Sequence, residues 1–163
     1  MKNLVIGISL ATATFNTNAA DERQVSNIVK KYSEAIACQI TETQYQKNQY
    51  KAVNVKPGFA DLGGVGAVFV VYWQGDVGCA GGNSTVVPNF TVVEQRGFSS
   101  VPPVVVTDYK FPELDLVRLT SLSGKNEQLV IKGVTYGAND QQHSPTKVVT
   151  YKLKLIENEF VKQ

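Results

Sequence analysis

The hydrophobic periodicity of this chain changes once, near residue 40, and does not change back. From Asp21 to about Gln39, apolar residues recur at spacings of three, four and seven, which is the pattern of an amphipathic helix. The predicted buried stripe of this helix contains Val25, Ile28, Val29, Tyr32, Ala35 and Ile36. After a polar connection, short apolar runs alternate with Gly, Pro, Asn and Ser, which is typical of strands joined by turns. The chain therefore favours one N-terminal helix followed by strands.

The apolar runs predict seven main strands and a short final one. In the penultimate strand, odd-numbered apolar residues alternate with Thr150, Lys152 and Lys154, so we expect these three residues on the solvated face. Between two of the runs, Gly124 and Asn126 suit a hairpin turn because both tolerate a positive φ. The predicted strands cover residues 50–56, 65–74, 89–95, 104–110, 114–122, 127–136, 147–155 and 159–162.

This order of elements predicts an α+β domain in which the N-terminal helix packs on a curved antiparallel sheet. A cystatin-like wrap, with the helix in the concave face of the sheet, is the preferred arrangement. A β-sandwich or small barrel with one helix is the alternative. Residues 21–163 carry no internal repeat and no linker, and about 140 residues suffice for one domain with a hydrophobic core.

Residues 1–20 are predicted to be a cleaved signal peptide rather than part of the domain. Lys2 supplies a positive start, an apolar stretch too short to span a bilayer follows, and small residues near Ala19 and Ala20 offer a cleavage site. No cysteine stands directly after that site, so a lipoprotein anchor is not expected, and no later segment has the length of a membrane span. We therefore expect a soluble periplasmic or secreted protein without a membrane anchor.

The two cysteines of the chain, Cys38 and Cys79, are predicted to form a disulfide, because an even pair in an exported domain is most simply a bridge. The bridge would close a loop of about forty residues, which stabilises by about 4 kcal/mol in the chain-entropy view. A nucleophilic Cys79 would need His143, the single histidine, as its base and would leave Cys38 unpaired. We therefore expect no catalytic residues, and a protein that is not an enzyme.

No cofactor or metal site is expected from the composition and spacing. One histidine and no Asp-x-Asp loop give neither zinc nor EF-hand spacing, and no Gly-Lys-Ser/Thr follows the glycines at Gly81 and Gly82. Asp140 and its neighbours suit either a weak calcium ion or an ordinary turn. With 16 Lys and Arg against 14 Asp and Glu, the chain lacks the strong basic excess of a dedicated nucleic-acid binder.

Two short motifs in the second half of the chain carry a resemblance. One is the Gly-Gly-Asn loop ending at Asn83; the other runs from Tyr136-Gly137 through Asp140 to Pro145-Thr146. They resemble a type of small exported bacterial protein of uncharacterised function. In that type, a Cys-Cys pair stands where this chain has His143-Ser144, so the late disulfide is not carried over. The resemblance implies an exported, non-enzymatic domain and supplies no ligand.

These observations predict a binding protein that recognises a protein partner in the periplasm or outside the cell. An inhibitor or immunity protein against an exported enzyme or toxin is the most concrete form. The contact surface is expected on loops 75–84, 97–103 and 137–145, at one end of the sheet, because loops carry binding more often than strands. The candidate contact residues are Asp76, Asn83, Phe98, Asp140 and His143.

The alternative function is a carrier of a small apolar ligand, held in a pocket enclosed by the sheet and the helix. It predicts a cavity whose lining includes Val70, Tyr72, Val130 and Tyr151.

Overall fold

In the computed structural model, residues 20–41, 49–80, 87–141 and 144–163 are described, and they form one α-helix, a short 3-10 helix at Ala60–Leu62 and nine strands. The predicted signal peptide lies outside these residues except for Ala20. The elements are α1 (Glu22–Ile36), β1 (Gln39–Ile40), β2 (Lys51–Lys56), β3 (Val68–Asp76), β4 (Pro88–Glu94), β5 (Val104–Val106), β6 (Arg118–Lys125), β7 (Gln128–Thr135), β8 (Lys147–Ile156) and β9 (Glu159–Lys162).

Helix α1 begins where its sequence supplies a cap and ends slightly before the predicted boundary. The carboxylate of Asp21 accepts a hydrogen bond from the Gln24 backbone N–H at 2.7 Å, which satisfies one of the free donors of the first turn. Val25 and Val29 are completely buried, as the stripe predicts. The last apolar residue of the helix, Ile36, stays 36% exposed, so the buried stripe is narrower than expected.

The strands form two antiparallel sheets. In the first sheet, β1 and β2 both pair with one edge of β3, and β4 and β5 follow on its other side. The second sheet has the order β6-β7-β8-β9, in which every neighbour is consecutive in the chain. Every residue of β3 is buried, which explains why this central strand reads as a continuous apolar run rather than an alternating one.

The alternating side chains of β3 divide the core into two layers. Val70 and Tyr72 face the second sheet and pack with its inner residues, which include Leu129, Ile131 and Leu153. Val71 and Trp73 face the other way and pack under the helix with Val25 and Val29. The helix thus covers one face of a curled sheet and the second sheet covers the other, so the predicted α+β class is confirmed.

The two sheets meet along one edge, where β2 lies beside β6. The Glu127 backbone N–H donates to the Val55 carbonyl oxygen at 2.8 Å. Gly124 permits this approach, because a Cβ at that position would stand 2.7 Å from the carbonyl oxygen of Asn54. The hairpin that follows has Asn126 at φ 50° and Glu127 at φ 63°, so positive φ occurs at Asn126 as predicted and also at Glu127, whereas Gly124 belongs to β6.

The predicted disulfide is confirmed: Cys38 and Cys79 are bonded, with their Cα atoms 5.5 Å apart. The Cys38 backbone N–H also donates to the carbonyl oxygen of Asp76 at 2.9 Å. The bridge therefore ties the chain just after the helix to the end of the central strand. A disulfide indicates an oxidising compartment. Within the described part of the chain, no helix combines the length and apolar composition that crossing a membrane requires.

Candidate functional site

The three predicted contact loops do not share one end of the sheets, so that expectation is wrong. Residues 77–87 connect β3 to β4, whereas the loop of Phe98 follows β4, and antiparallel neighbours put these connections at opposite ends. Phe98 therefore lies about 26 Å, roughly the length of β3, from the region of Asp76. The Asp140 loop lies at the same end as Asp76. The Gln74 amide, near the end of β3, donates to the carbonyl oxygen of Val117. Val117 directly precedes β6 and lies opposite the end of β7, from which the Asp140 loop begins.

Asp76 is buried, which corrects the expectation that it is a contact residue for a partner. Its exposed fraction is 7%, and its carboxylate accepts from the Ala80 backbone N–H at 3.4 Å. The carboxylate faces the chain turning towards Cys79, so it shapes the disulfide loop from inside. Asn83, in the same loop, lies outside the described residues.

Asp140 holds its own loop together. Its carboxylate accepts from the Gly137 backbone N–H at 2.7 Å, and from the Thr146 backbone N–H and hydroxyl at 2.6 and 2.7 Å. These hydrogen bonds, of which the one from Gly137 has the largest effect, lower the pKa of Asp140 below its usual range. Asp140 therefore has a structural role in closing the β7–β8 loop, while His143 lies outside the described residues.

At the other end of the sheets, Phe98 has an exposed apolar neighbourhood that the sequence reading did not identify. Phe98 is 62% exposed, and Phe59, in the β2–β3 connection, is 65% exposed. The two connections touch, because a Cβ at Gly63 would lie only 2.9 Å from the Ser99 backbone nitrogen. Exposed Leu62 and Val101 accompany the two rings. We call Phe59, Leu62, Phe98 and Val101 the apolar loop surface.

A buried amide fixes the Phe98 half of this surface. Gln95 is 1% exposed, and its Nε2 donates to the carbonyl oxygens of Gly97, Phe98 and Val101 at 2.7, 3.1 and 2.8 Å. The Val101 backbone N–H closes the turn by donating to the Phe98 carbonyl at 2.7 Å. Because the Gln95 amide binds three carbonyl oxygens of this loop, the backbone that carries Phe98 has a defined conformation.

Backbone hydrogen bonds fix the Phe59 half in the same way. The Phe59 N–H donates to the Val65 carbonyl at 2.9 Å, and the Phe59 carbonyl accepts from Gly64 at 2.9 Å. Gly66 then donates to the carbonyl of Gln95 at 2.8 Å, which joins the two halves. Both aromatic residues thus project from connections that are tied to each other and to the sheet.

A polar cleft of about 740 Å³ lies beside the apolar loop surface. Glu94 is its most connected group: it accepts from the Tyr109 hydroxyl at 2.6 Å and from Arg96 Nε at 2.6 Å. Partial burial pushes the pKa of Glu94 upward, but the hydrogen bonds from Tyr109 and Arg96 outweigh it and hold the pKa below the usual value. Across the cleft, Lys56 pairs with Glu127 at 3.5 Å.

Glu94 and Tyr109 keep, in the cleft, the protonation states that such groups have in water at neutral pH. Burial and the hydrogen bond to Glu94 raise the pKa of Tyr109, so its hydroxyl stays protonated and its proton is committed to the carboxylate. Despite partial burial, the hydrogen bonds from Tyr109 and Arg96 keep Glu94 ionised by lowering its pKa, whereas a carboxyl group that acts as a general acid needs a raised pKa. Within the described ranges, no group of three or more His, Cys, Asp or Glu residues is placed to hold a metal ion.

One sequence signal for the apolar loop surface exists, and it is a repeated dipeptide. Phe59 follows Gly58 in "KPGFADL", as Phe98 follows Gly97 in "QRGFSSV". Each Gly-Phe pair begins two or three residues after the end of a strand, in a connection rich in small residues. The Gln95 brace and the Glu94–Tyr109 contact carry no comparable local signal, because their partners are distant in the sequence or are backbone atoms.

The four residues expected to line one apolar cavity do not do so. Val70 and Tyr72 are packed in the core between the sheets, at 0% and 2% exposure. Tyr151 pairs with Ile131 and packs against that core, but Val130, the next residue on β7, points to the opposite face of the second sheet.

Comparison of the chain with protein-family models, with curated proteins and with solved structures finds no match.

Proposed function

We propose that this is an exported binding protein that recognises a protein partner through the apolar loop surface. The observation that carries the proposal is the pair of exposed rings, Phe59 and Phe98, on two neighbouring connections that are braced by Gln95 and by backbone hydrogen bonds. Aromatic anchors on a pre-organised backbone supply much of the binding energy of protein interfaces, because little conformational entropy remains to be lost.

The charged cleft next to the rings suits the rim of such an interface. Glu94, Arg96 and Lys56 present both signs of charge within one depression, so a partner with complementary charges would be oriented as the rings are buried. Burying each phenylalanine would contribute about 1.5–3 kcal/mol from its apolar area. Together these features support a non-enzymatic inhibitor or immunity protein acting on an exported enzyme or toxin, and the disulfide supports export to the periplasm or beyond the cell.

Site-specific photo-crosslinking in the cells that export the protein tests this proposal. A benzophenone side chain at Ser100, which is exposed in the Phe98 loop, should give one discrete protein adduct. The same probe at Asn27, on the exposed side of helix α1, should not give that adduct. The adduct at Ser100 should disappear in a Phe59→Ser/Phe98→Ser background.

Ile36→Ser is the matched control, because Ile36 is a 36% exposed apolar residue at the end of helix α1, away from the apolar loop surface. It should leave the Ser100 adduct intact. Equal adducts from Ser100 and Asn27, or an adduct that survives loss of both rings, would overturn the proposal.

The alternative, a carrier of a small apolar ligand, is favoured by one different observation. A groove of about 400 Å³ lies between the start of β4 and the connection from β5 to β6, and its lining includes Phe90, Phe111, Leu114 and Leu116. Native mass spectrometry of the protein from its own cells should show a bound small molecule if this function is correct, and a Phe111→Ala variant should lose it. A ligand-free mass for the unaltered protein would contradict the carrier function.

A further inference from the structure

The outer face of the second sheet carries lysines that are scattered in the sequence and gathered by strand pairing. Lys132 of β7 lies opposite Thr150 of β8, so Lys152, two residues along, is its diagonal neighbour. Lys152 and Lys154 are about 7 Å apart along the same strand. Lys125 of β6 pairs with Gln128, which itself pairs with Lys154. We call Lys125, Lys132, Lys152 and Lys154 the basic sheet face.

These lysines are exposed, and no carboxylate stands between them on the strands, although Glu127 and Glu157, in the turns at one end of the sheet, line a cleft together with Lys154. The ion pairs found within the described ranges involve other residues. Glu159, at the edge of the sheet, is the one acidic residue at the outward positions of β6 to β9, all of which are described, and Lys110 neutralises it at 3.4 Å. The positive charge is therefore concentrated on this face, although the net charge of the whole chain is only +2.

The remaining outward residues indicate the kind of polyanion that fits. Val148, Ile156 and Val161 lie on the same face and are 76%, 53% and 43% exposed. No aromatic side chain occupies an outward position on these four described strands, so the face lacks the stacking platform typical of single-stranded nucleic acid binders. A broad sheet face with lysines and exposed aliphatic residues matches a layer of anionic headgroups over apolar chains.

We propose that the basic sheet face binds the surface of an anionic phospholipid membrane. Ammonium groups contact the lipid phosphates, and the exposed aliphatic residues rest against the headgroup boundary. The face lies across the second sheet from the core, whereas helix α1 covers the far side of the first sheet. A protein held this way keeps its helix turned to solvent, and the apolar loop surface at the end of the sheets remains beside the membrane rather than beneath it.

Vesicle co-sedimentation with the protein purified from the cells that export it tests the proposal, using phosphatidylglycerol-containing vesicles and pure phosphatidylcholine vesicles at low and moderate salt. The protein should bind the anionic vesicles, bind the neutral ones much more weakly, and dissociate as salt rises. Each lysine neutralised should lower the partition coefficient about fivefold, so Lys132→Gln/Lys152→Gln should lower it about 25-fold.

Lys30→Gln/Lys31→Gln is the matched control, because it removes the same charge from the exposed side of helix α1. It should retain binding within about twofold, since those lysines are a molecule's width from the bilayer. Every variant is purified from the same exporting cells, so that the apolar segment predicted to be cleaved there does not contribute to vesicle binding. Equal losses in both double variants would overturn the proposal, as would binding that ignores lipid charge, no vesicle binding at all, or stronger binding to DNA oligonucleotides than to anionic vesicles.

Discussion

The side-chain amide of Gln95 donates to the carbonyl oxygen of Val101 at 2.8 Å, across a loop whose exposed ring is Phe98. The same nitrogen also contacts the carbonyls of Gly97 and Phe98. One buried side chain therefore substitutes for the sheet partner that this stretch of backbone lacks.

Replacing Gln95 should loosen the loop and weaken the fold. Gln95→Ala removes the donor from three loop carbonyls, which should lower the free energy of unfolding by about 2–3 kcal/mol in urea titrations. Gln95→Glu should destabilise at least as strongly at neutral pH, because a carboxylate faces carbonyl oxygens. Gln128→Ala, at an exposed site on β7, is the control and should change stability little. An unchanged free energy of unfolding in Gln95→Ala would show that the hydrogen bonds from Gln95 do not stabilise the loop.

Removing the disulfide should produce the largest loss of stability among these changes. The Cys38–Cys79 bridge closes a loop of 41 residues, so Cys38→Ala/Cys79→Ala should lower the free energy of unfolding by about 4 kcal/mol. Thiol titration of the unreduced protein should find no free thiol. Chemical denaturation with and without reductant checks the same quantity, and two midpoints that coincide would contradict the prediction.

Glu94 should make stability depend on acid pH. Its pKa is lower in the folded protein than the ordinary value of 4.5, so the ionised carboxylate stabilises the fold above that value. This contribution should be lost as the pH falls through the folded pKa. Urea unfolding between pH 7 and pH 3 should therefore show a smaller acid loss for Glu94→Gln than for the unaltered protein.

Asp140 is present in both proteins of that comparison, and its lowered pKa acts in the same direction. The difference between the two pH profiles therefore isolates Glu94. Parallel profiles would mean that the contacts with Tyr109 and Arg96 do not stabilise the ionised form.

Gly124 should be intolerant of any side chain because of the neighbouring strand. Gly124→Ala places a Cβ 2.7 Å from the Asn54 carbonyl oxygen, so β2 and β6 must separate, and we expect a loss of about 1–3 kcal/mol in the free energy of unfolding. At Gly78 the nearest atom to an added Cβ is 3.8 Å away, so Gly78→Ala is the control. Equal melting temperatures for the two variants would contradict the close approach.

Local signals made the helix and most strands predictable from the sequence. Asp21 as the cap, Val25 and Val29 as the buried stripe, and the alternation of β8 all depend on residues within a few positions of each other. The short strand β1 was missed because two residues, Gln39 and Ile40, carry no periodicity. The residues at 107–110 were assigned to a strand, but β5 ends at Val106, where its pairing with β4 ends.

The candidate surfaces were less predictable because they depend on contacts between distant residues. Phe98 belongs to a loop that the sequence analysis proposed as a contact surface, whereas Phe59 was missed although it stands in the same Gly-Phe dipeptide. Asp76 was expected at the surface, yet it is 7% exposed and accepts a hydrogen bond from the Ala80 backbone N–H. A polar residue at the end of a strand does not reveal from its sequence whether the next loop turns towards it or away.

The class of fold and the disulfide were predictable from local pattern, because periodicity is a property of neighbouring residues and two cysteines permit only one pairing within a chain. Which loops share an end, and which side chains meet across strands, is visible only in the folded arrangement. The reason is that strand register is set by pairing over long sequence distances, and a shift of one residue would turn Lys132 or Lys152 to the opposite face.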